Sequence, residues 1–310
     1  MLARIAESLY WIGRYCERAE DTARLLDVHY HVLLEDRTVD EAGACQALLD
    51  AMGVPEDALD VEANAAEVTM LLTHDLTYTG SIASSIEAAW ENARGAREAI
   101  SSELWEALNT THRSMKVRSR ATTGRARHEL FDWVKERTAM LAGVADSTMS
   151  HDDGWHFLLA GRNLERVDMT TRLLSARYGE SWGPPGWTTT LRCCSAYEAY
   201  LRTYRRPVDA SSAVEFLLLD RLFPRSVFFA LTTTERALGA LDPRADRTGL
   251  NDEARRLVGQ MCADLAFVRV DHVVTRLAEY VTWLQDACEG VHGALAARYF
   301  RETSAIAWSS

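Results

Sequence analysis

The chain has 310 residues, a formal net charge of −11 at pH 7 and an isoelectric point near 5.3. This length is sufficient for one large hydrophobic core or two ordinary domains, so neither disulfides nor a metal is needed for stability. The acidic balance argues against a general nucleic-acid-binding or anionic-membrane-binding protein, because such proteins present clustered Lys and Arg side chains.

The N-terminal segment is predicted to be a charged helix and not a secretory leader. Glu7, Arg14, Glu17 and Arg18 interrupt every apolar run there, whereas a signal peptide requires a continuous apolar segment. No stretch of the sequence reaches the roughly 18 apolar residues of a membrane span. We therefore expect a cytoplasmic protein without a membrane span.

Helical periodicity continues along most of the chain, while runs of alternating Val, Ile and Thr are nearly absent. The predicted fold class is therefore all-α. Gly and Pro interrupt the periodicity at Gly53, at the GPPG of residues 183–186 and at Pro243. The predicted helices span 3–34, 40–51, 82–114, 122–146, 153–178, 190–204, 226–241, 251–268 and 271–300.

One charged, helix-forming segment occurs twice in the sequence. The segment GRYCERAEDTARLL at residues 13–26 reappears nearly unchanged as GRNLERVDMTTRLL at residues 161–174. Unrelated segments of this length would share roughly one residue. A weaker second match, LLTHDLTYTGSI at 71–82 with FLLLDRLFPRSV at 216–227, follows in the same order. The two matches predict duplication of one long unit.

The duplication predicts how the chain is organised. We expect an internally duplicated helical bundle with approximate twofold symmetry, in which two similar units bury their apolar faces against each other. In terms of domains, residues 1–310 would form a single all-α domain made of two repeats, about 1–148 and 149–310.

The repeated charges admit two interpretations. On a helical wheel one narrow stripe is formed by Arg14, Glu17, Asp21 and Arg24. The second copy repeats this stripe with the same residue types, except that Met169 stands where the first copy has Asp21. The stripe is either a solvated face with local ion pairs, or a polar cluster in which the two stripes face each other. In the second case Glu17 and Glu165 would lie at the centre, surrounded by guanidinium groups.

Small residues shared by the two copies predict local geometry. Gly13 and Gly161 each cost a helix about 1 kcal/mol relative to Ala, which indicates that helices approach closely at these positions. Ser81 and Ser226 precede helical patterns in both copies. Their hydroxyl groups are predicted to accept an unpaired backbone N–H as helix N-caps.

The sequence favours no metal site. Asp-x-x-His at 153–156 and Glu-x-x-His at 289–292 have the spacing of di-metal bundle ligands, but they do not occupy corresponding repeat positions. His29 and His31 are two residues apart and therefore point to different sides of a helix. We predict that these histidines lie at the surface or at helix ends.

Nucleotide and nucleophile motifs are also missing from the sequence. It contains no phosphate-binding loop, no dinucleotide fingerprint and no nucleophile elbow. The six cysteines have no CxxC spacing and lack the density of a secreted disulfide scaffold, so we expect reduced thiols that mostly belong to the core.

These segments resemble the alpha-E family, bacterial all-helical proteins named for a recurrent Glu-Arg motif. The resemblance rests on residues 13–26, 80–109, 159–174 and 216–227 and covers most of the chain. Members of this family typically accompany ATP-grasp ligases of the glutathione-synthetase-like kind and transglutaminase-like peptidases. The resemblance therefore implies an accessory partner of an ATP-dependent peptide or amide ligase, with ATP and Mg²⁺ on that ligase and no cofactor in this chain.

The resemblance further implies that the Glu-Arg motifs bind the ligase or its peptide substrate. Trp90 stands where similar family members tend to carry Arg, so we expect no anion binding at that position. Two alternatives stay open: an enzyme that uses Glu17 and Glu165 as acid and base in a cleft between the repeats, and a structural oligomerisation module. The candidate motif residues are Arg14, Glu17, Arg18, Arg24, Asp75, Glu91, Arg94, Arg97, Glu98, Arg162, Glu165, Arg166, Arg172, Asp220, Arg225 and Ser226.

Overall fold

A computed structural model describes residues 1–35, 38–55, 64–118, 124–178, 186–243 and 249–300 of the protein. Every regular element in these ranges is a helix, which confirms the all-α fold class. A short 3₁₀ helix, Arg97–Ala99, lies between α4 and α5. The α-helices are α1 (Ala3–Glu35), α2 (Glu41–Met52), α3 (Ala65–His74), α4 (Ile82–Gly95), α5 (Ser102–Arg118), α6 (Gly124–Thr148), α7 (Asp153–Tyr178), α8 (Gly186–Cys193), α9 (Tyr197–Tyr204), α10 (Ala210–Leu219), α11 (Val227–Leu241), α12 (Glu253–Phe267), α13 (Val270–Thr275) and α14 (Leu277–Tyr299).

Two long helices, α1 and α7, lie side by side at the centre of the fold. Besides contacting each other, α1 packs against α4 and α6, and α7 packs against α11 and α14. The buried apolar side chains form one main cluster that extends from Ile5 to Phe300 and includes residues of both halves. The charged segments at residues 13–26 and 161–174 therefore lie inside the molecule's most extensive helix contact.

Glycines set the distance between α1 and α7. A Cβ atom placed on Gly13 would lie 2.1 Å from the carbonyl oxygen of Leu158, and one placed on Gly161 would lie 2.0 Å from that of Tyr10. No side chain fits at such a distance from backbone atoms. The predicted close approach is therefore confirmed at both glycines.

Two turns of the same design precede α4 and α11. Ser81 Oγ accepts a hydrogen bond from the backbone N–H of Ser84 at 3.0 Å, and Ser226 Oγ accepts one from Phe229 at 3.1 Å. Each serine hydroxyl also donates to the backbone carbonyl of an aspartate six residues earlier. Both N-caps are thus confirmed. The aspartates are Asp75 and Asp220.

The long helix predicted over residues 82–114 is wrong, because the chain breaks between α4 and α5. Gly95 ends α4, and Ile100 adopts an extended conformation with φ −118° and ψ 158°. Ser101 then begins α5 by accepting a hydrogen bond from the N–H of Leu104 at 3.1 Å. The helical periodicity of the sequence continues across this break and therefore does not indicate it.

Two further predicted helices are also divided. The helix predicted over 190–204 is interrupted at Ser195, whose φ of 54° lies in the left-handed region and ends α8. The helix predicted over 271–300 is interrupted at Arg276, which separates α13 from α14. In both cases a single non-helical residue or a short turn redirects the chain.

Helices α3 and α10 are absent from the sequence prediction. Each begins with a side-chain cap: Asn64 accepts hydrogen bonds from the N–H groups of Ala66 and Glu67, and Asp209 accepts one from Ser212. At ten residues each, these helices are too short to show a strong apolar periodicity. Their caps are the signal that could have indicated them.

The six cysteines are free thiols. Four of them are buried and two are half-buried, in agreement with the predicted reduced core residues. Within the described ranges, no helix combines the length and apolar character needed to cross a bilayer. The buried cysteines are Cys45, Cys193, Cys194 and Cys288.

Candidate functional site

Glu165 of α7 is enclosed by two arginines of α1. Its carboxylate accepts hydrogen bonds from Arg14 Nε and Arg18 Nε at 2.5 Å each, and from Arg18 Nη2 at 3.1 Å. The glutamate is only 2% exposed. Its charge is therefore balanced within the protein and has little access to solvent.

Glu17 of α1 forms the reciprocal ion pairs, with arginines that lie outside α1. Arg166 of α7 donates from Nε to Glu17 Oε1 at 2.8 Å, and Arg225 Nη2 lies 2.8 Å from the same oxygen. Glu17 is 3% exposed. The two charged stripes thus face each other, and the solvated-face interpretation is wrong for both glutamates. The matching contacts fit the predicted duplication, which stays a prediction.

Arg225, in the turn before α11, extends the cluster to two carboxylates that were not among the candidate residues. Its Nη1 donates to Asp21 Oδ1 at 2.6 Å, and its Nη2 donates to Glu20 Oε1 at 2.5 Å. Burial raises the pKa of Asp21 to about 7 even though the guanidinium of Arg225 opposes this shift. Asp21 lies on the charged stripe of the helical wheel, and this position is the sequence feature that indicates its membership of the cluster.

Other candidate arginines form weaker or local pairs. Arg24 donates to Glu20 at 2.7 Å, and Arg172 donates to Asp168 at 3.1 Å, in each case four residues earlier on the same helix. Arg162 lies 3.7 Å from Asp146 across helices α6 and α7.

The candidates at the end of α4 are exposed and have local contacts. Arg94 pairs with Glu91 at 2.7 Å within α4, and the guanidinium of Arg97 lies 5.2 Å from the ring centre of Trp105 on α5. Glu98 is also exposed. These four residues show the ordinary geometry of a solvated helix end.

Asp75 and Asp220 have a structural role in turns. The carboxylate of Asp75 accepts hydrogen bonds from the N–H groups of Thr77 and Tyr78. Asp220 does the same for Leu222 and Phe223. Together with the N-cap serines, including the candidate Ser226, these aspartates build the turns that start α4 and α11.

The electrostatics of Glu165 do not suit a general acid. Burial alone would raise its pKa, but the positive charges and hydrogen bonds of Arg14 and Arg18 outweigh burial and lower it to about 2. A general acid or base for chemistry near neutral pH needs a pKa close to the working pH. Glu165 is instead held as a permanent carboxylate.

An open cleft of about 720 Å³ lies beside the cluster, between α1, α2, α7 and α14. Its volume is in the range typical of small-molecule sites. Arg14 belongs to both features, since its Nε pairs with Glu165 while the residue also lines the cleft. The lining residues are Arg14, Asp50, Leu164, Asp168, Arg172, Ser175, Ala176, Gln285, Asp286, Cys288, Glu289 and His292.

One wall of the cleft contains a hydrogen-bonded aromatic group. Arg14 Nη1 donates to Tyr10 Oη at 3.2 Å, and Nδ1 of His292 lies 3.2 Å from the same oxygen. The rings of Tyr10 and His292 are stacked with their centres 5.6 Å apart. Burial and the nearby charge of Arg14 lower the pKa of His292, so this imidazole is neutral at pH 7.

The cleft presents charges of both signs. Asp50, Asp286 and Glu289 are exposed carboxylates, while Arg14 and Arg172 are guanidinium groups that already have partners in the protein. Within the described residues, no ion pair forms at Asp286 or Glu289. The cleft therefore combines carboxylates that suit a cationic group with guanidinium groups whose charge is shared with Glu165 and Asp168.

The sequence profile of a known family, described as a predicted alpha-helical domain with a conserved ER motif, matches residues 1–300. The chain belongs to the Alpha-E family. In this Alpha-E chain, the Glu-Arg pairs at the interface of the two central helices are Glu17-Arg18 on α1 and Glu165-Arg166 on α7.

Similar Alpha-E sequences occur in mycobacteria. An uncharacterized protein of Mycobacterium bovis and two of Mycobacterium tuberculosis are each 28% identical to this chain over 324 residues. The match covers 94% of this chain but 35% of each relative, so the chain spans about a third of the length of these proteins. No solved structure matches the chain.

Several cleft residues of this Alpha-E protein could not be predicted as a site. Asp50, Asp168 and Asp286 lie on three different helices and come together only through packing. Glu289 and His292 were noted only for a spacing typical of metal ligands. Their i, i+3 spacing places both on one face of α14, and this face lines the cleft.

Proposed function

We propose that this Alpha-E protein is a cytoplasmic binding subunit of an ATP-grasp-type peptide or amide ligase system. In this proposal the ligase carries ATP and Mg²⁺, and a transglutaminase-like protein is a further partner. The observation that carries the proposal is the open cleft of about 720 Å³ beside Arg14, which presents carboxylate and guanidinium groups together. The cleft would hold a peptide or amino-acid group while the ligase performs the chemistry.

The charges of the cleft fit a zwitterionic ligand. The carboxylates of Asp286 and Glu289 suit an amino or guanidinium group, and the guanidinium groups of Arg14 and Arg172 suit a carboxylate. Peptides and amino acids carry both kinds of group. An amide-forming ligase also uses a carboxylate and an amine as its two reacting groups.

The geometry favours the cleft over the two motif glutamates as the binding surface. Glu17 and Glu165 are almost fully buried and are paired with arginines. Exposing them to a partner would require α1 and α7 to separate and their buried ion pairs to break. In the proposal the Glu-Arg motifs instead hold α1 against α7 and keep Arg14 in position at the cleft.

The length of the mycobacterial relatives supports a partnered role. About two thirds of each relative lies outside the part that this chain matches. In those proteins the Alpha-E part is therefore covalently joined to a large amount of other sequence. A domain that acts together with other protein sequence is consistent with this arrangement.

The test is an affinity pull-down from the native organism with identification of bound proteins by mass spectrometry. We would compare the wild type with the double variant Asp286→Asn/Glu289→Gln, which removes two cleft charges without changing side-chain size. The matched control is Glu103→Gln/Glu106→Gln, which removes two charges from exposed positions of α5 outside the cleft. Far-UV circular dichroism would verify that all three proteins are equally helical.

We expect an ATP-grasp ligase to be recovered by the wild type and by the control. Its recovery should be strongly reduced with the cleft variant, because in the proposal the peptide held in the cleft connects the two proteins. Absence of any ATP-grasp protein from all samples would contradict the partner proposal. Equal recovery by all three proteins would support the ligase as a partner. It would also show that Asp286 and Glu289 do not contribute to the interaction. Amide formation from ATP and amino acids by the purified protein alone would contradict a non-catalytic role.

A further inference from the structure

Two histidines and two aspartates meet where α1 packs against α6. His128 Nδ1 lies 2.7 Å from Asp27 Oδ1, and its Nε2 lies 3.2 Å from Asp132 Oδ2. His31 Nδ1 lies 3.5 Å from the same Asp27 oxygen. One potential ligand atom from each of Asp27, His31 and His128 lies within 4.8 Å of the other two.

We propose that Asp27, His31 and His128 form a binding site for one divalent first-row transition-metal ion, with Asp132 orienting the His128 ring through its other nitrogen, Nε2. Imidazole together with carboxylate suits Zn²⁺, Ni²⁺ or Cu²⁺, whereas Mg²⁺ and Ca²⁺ prefer sites made of oxygen ligands. This site is separate from the cleft and does not depend on the ligase proposal.

The distances match the size of such an ion. Zinc binds nitrogen and oxygen at about 2.0–2.1 Å in a tetrahedron, which places neighbouring ligand atoms about 3.3 Å apart. The separations of 2.7 Å and 3.5 Å between Asp27 Oδ1 and the two imidazole nitrogens lie on either side of this value. His31 Nδ1 also lies 2.8 Å from the backbone carbonyl oxygen of Asp27, a contact that coordination of an ion would replace.

The site is open to solvent on one side and anchored on the other. The side chains of His31 and His128 are 43% and 39% exposed, whereas that of Asp27 is 12% exposed. An ion can therefore enter from solution and exchange some of its water for protein ligands. The buried aspartate holds the site at a fixed place between the two helices.

Lys135 organises the carboxylates without occupying the proposed position. Its Nζ lies 2.6 Å from Asp27 Oδ2 and 2.8 Å from Asp132 Oδ1, which leaves the other oxygen of each carboxylate directed toward His128. Partners of this kind commonly orient metal-binding side chains. Apart from the histidines, two aspartates and one lysine give a net charge of −1, which favours a cation.

Sequence spacing alone could not indicate this site. The prediction that His29 and His31 point to different sides of their helix is confirmed. His29 is buried beside Cys45, and its Nε2 lies 3.7 Å from the cysteine sulfur. The prediction of a surface or helix-end position is wrong for His29. His31 instead meets His128, which lies on another helix and becomes its neighbour only through the fold.

The first test is isothermal titration of the chelator-stripped 310-residue protein with ZnCl₂. We expect one equivalent to bind, and we expect the double variant His31→Ala/His128→Ala to lose at least about tenfold in affinity. The matched control is His272→Ala, which removes an exposed histidine on α13 outside the site. Its affinity should equal that of the wild type.

The second test uses Co²⁺ as a spectroscopic probe of the same three proteins. Direct coordination by imidazole and carboxylate should produce visible ligand-field bands in the wild-type protein and in His272→Ala, but not in the double variant. Absence of Zn²⁺ binding by the wild type would overturn the proposal. Zn²⁺ binding that is unchanged in the double variant would overturn it as well.

Discussion

The backbone of Gly13 lies so close to the carbonyl oxygen of Leu158 that a Cβ atom would be 2.1 Å from it. The reciprocal contact, between Gly161 and Tyr10, is equally close. These two contacts bring the axes of α1 and α7 near enough for Arg and Glu side chains to meet across the helix boundary. The buried ion pairs therefore depend on residues that themselves carry no charge.

Substitution of either glycine tests this dependence. Gly13→Ala and Gly161→Ala should each lower the free energy of unfolding by about 2–3 kcal/mol or more, because the added methyl group must push two backbones apart. Gly143→Ala is the control, since nothing lies within 4 Å of a Cβ at that helical position. It should raise stability by about 1 kcal/mol. Urea unfolding followed by circular dichroism measures all three, and similar values would contradict the packing argument.

Glu165→Gln tests the buried charge itself. The substitution leaves Arg14 and Arg18 as partly buried guanidinium groups without their main carboxylate partner. We expect a loss of about 3–5 kcal/mol, the range for breaking a buried pair by removal of one partner. Glu103→Gln on the exposed face of α5 should change stability by no more than about 0.5 kcal/mol. A loss below about 1 kcal/mol for Glu165→Gln would show that the cluster contributes little to stability.

Acid should weaken the protein through Glu165. Its pKa is lowered from 4.5 to about 2 in the folded state, so its stabilising contribution is complete above about pH 4.5 and is lost as the pH falls toward 2. The contribution is about 3 kcal/mol for this shift. The stability difference between the wild type and Glu165→Gln should therefore shrink over this range. A constant difference in denaturant unfolding experiments would contradict the shifted pKa.

Asp21 should act in the opposite direction. Its pKa is raised from 3.8 to about 7, mainly by burial, so the stability that it contributes is present below about pH 3.8 and is lost as the pH rises through 7. Asp21→Asn keeps an oxygen acceptor for Arg225 but cannot ionise. The variant should therefore gain stability relative to the wild type between about pH 4 and pH 8. Parallel pH profiles of the two proteins would exclude this role.

The agreement between sequence and structure differs from one residue to another for physical reasons. Glu17 and Glu165 could be singled out because the repeated segments keep their identity and their place on one helical stripe. Their arginine partners in α1 and α7 belong to the same two short segments. Local periodicity was therefore sufficient to predict that these charges lie on facing helix stripes. The predicted polar cluster therefore requires only that the two helices lie side by side.

The cleft and the helix breaks depend on information that local patterns do not contain. Asp50 and Asp286 belong to α2 and α14, which meet the central helices only through tertiary packing. Ile100 is an apolar residue in a helix-like sequence, and the extended backbone there is compensated by the cap at Ser101. Propensity is a weak guide where such a cap and tertiary contacts decide the conformation.

The buried Glu-Arg pairs also influence how the chain folds. Proteins made of helices usually fold quickly because most of their contacts are local. Here the ion pairs of Arg14, Arg18 and Arg166 join residues 147 to 151 positions apart. Closing so long a loop costs chain entropy before any contact compensates for it. We therefore expect docking of α7 onto α1 to be a late step of folding, with both glutamates hydrated until it occurs.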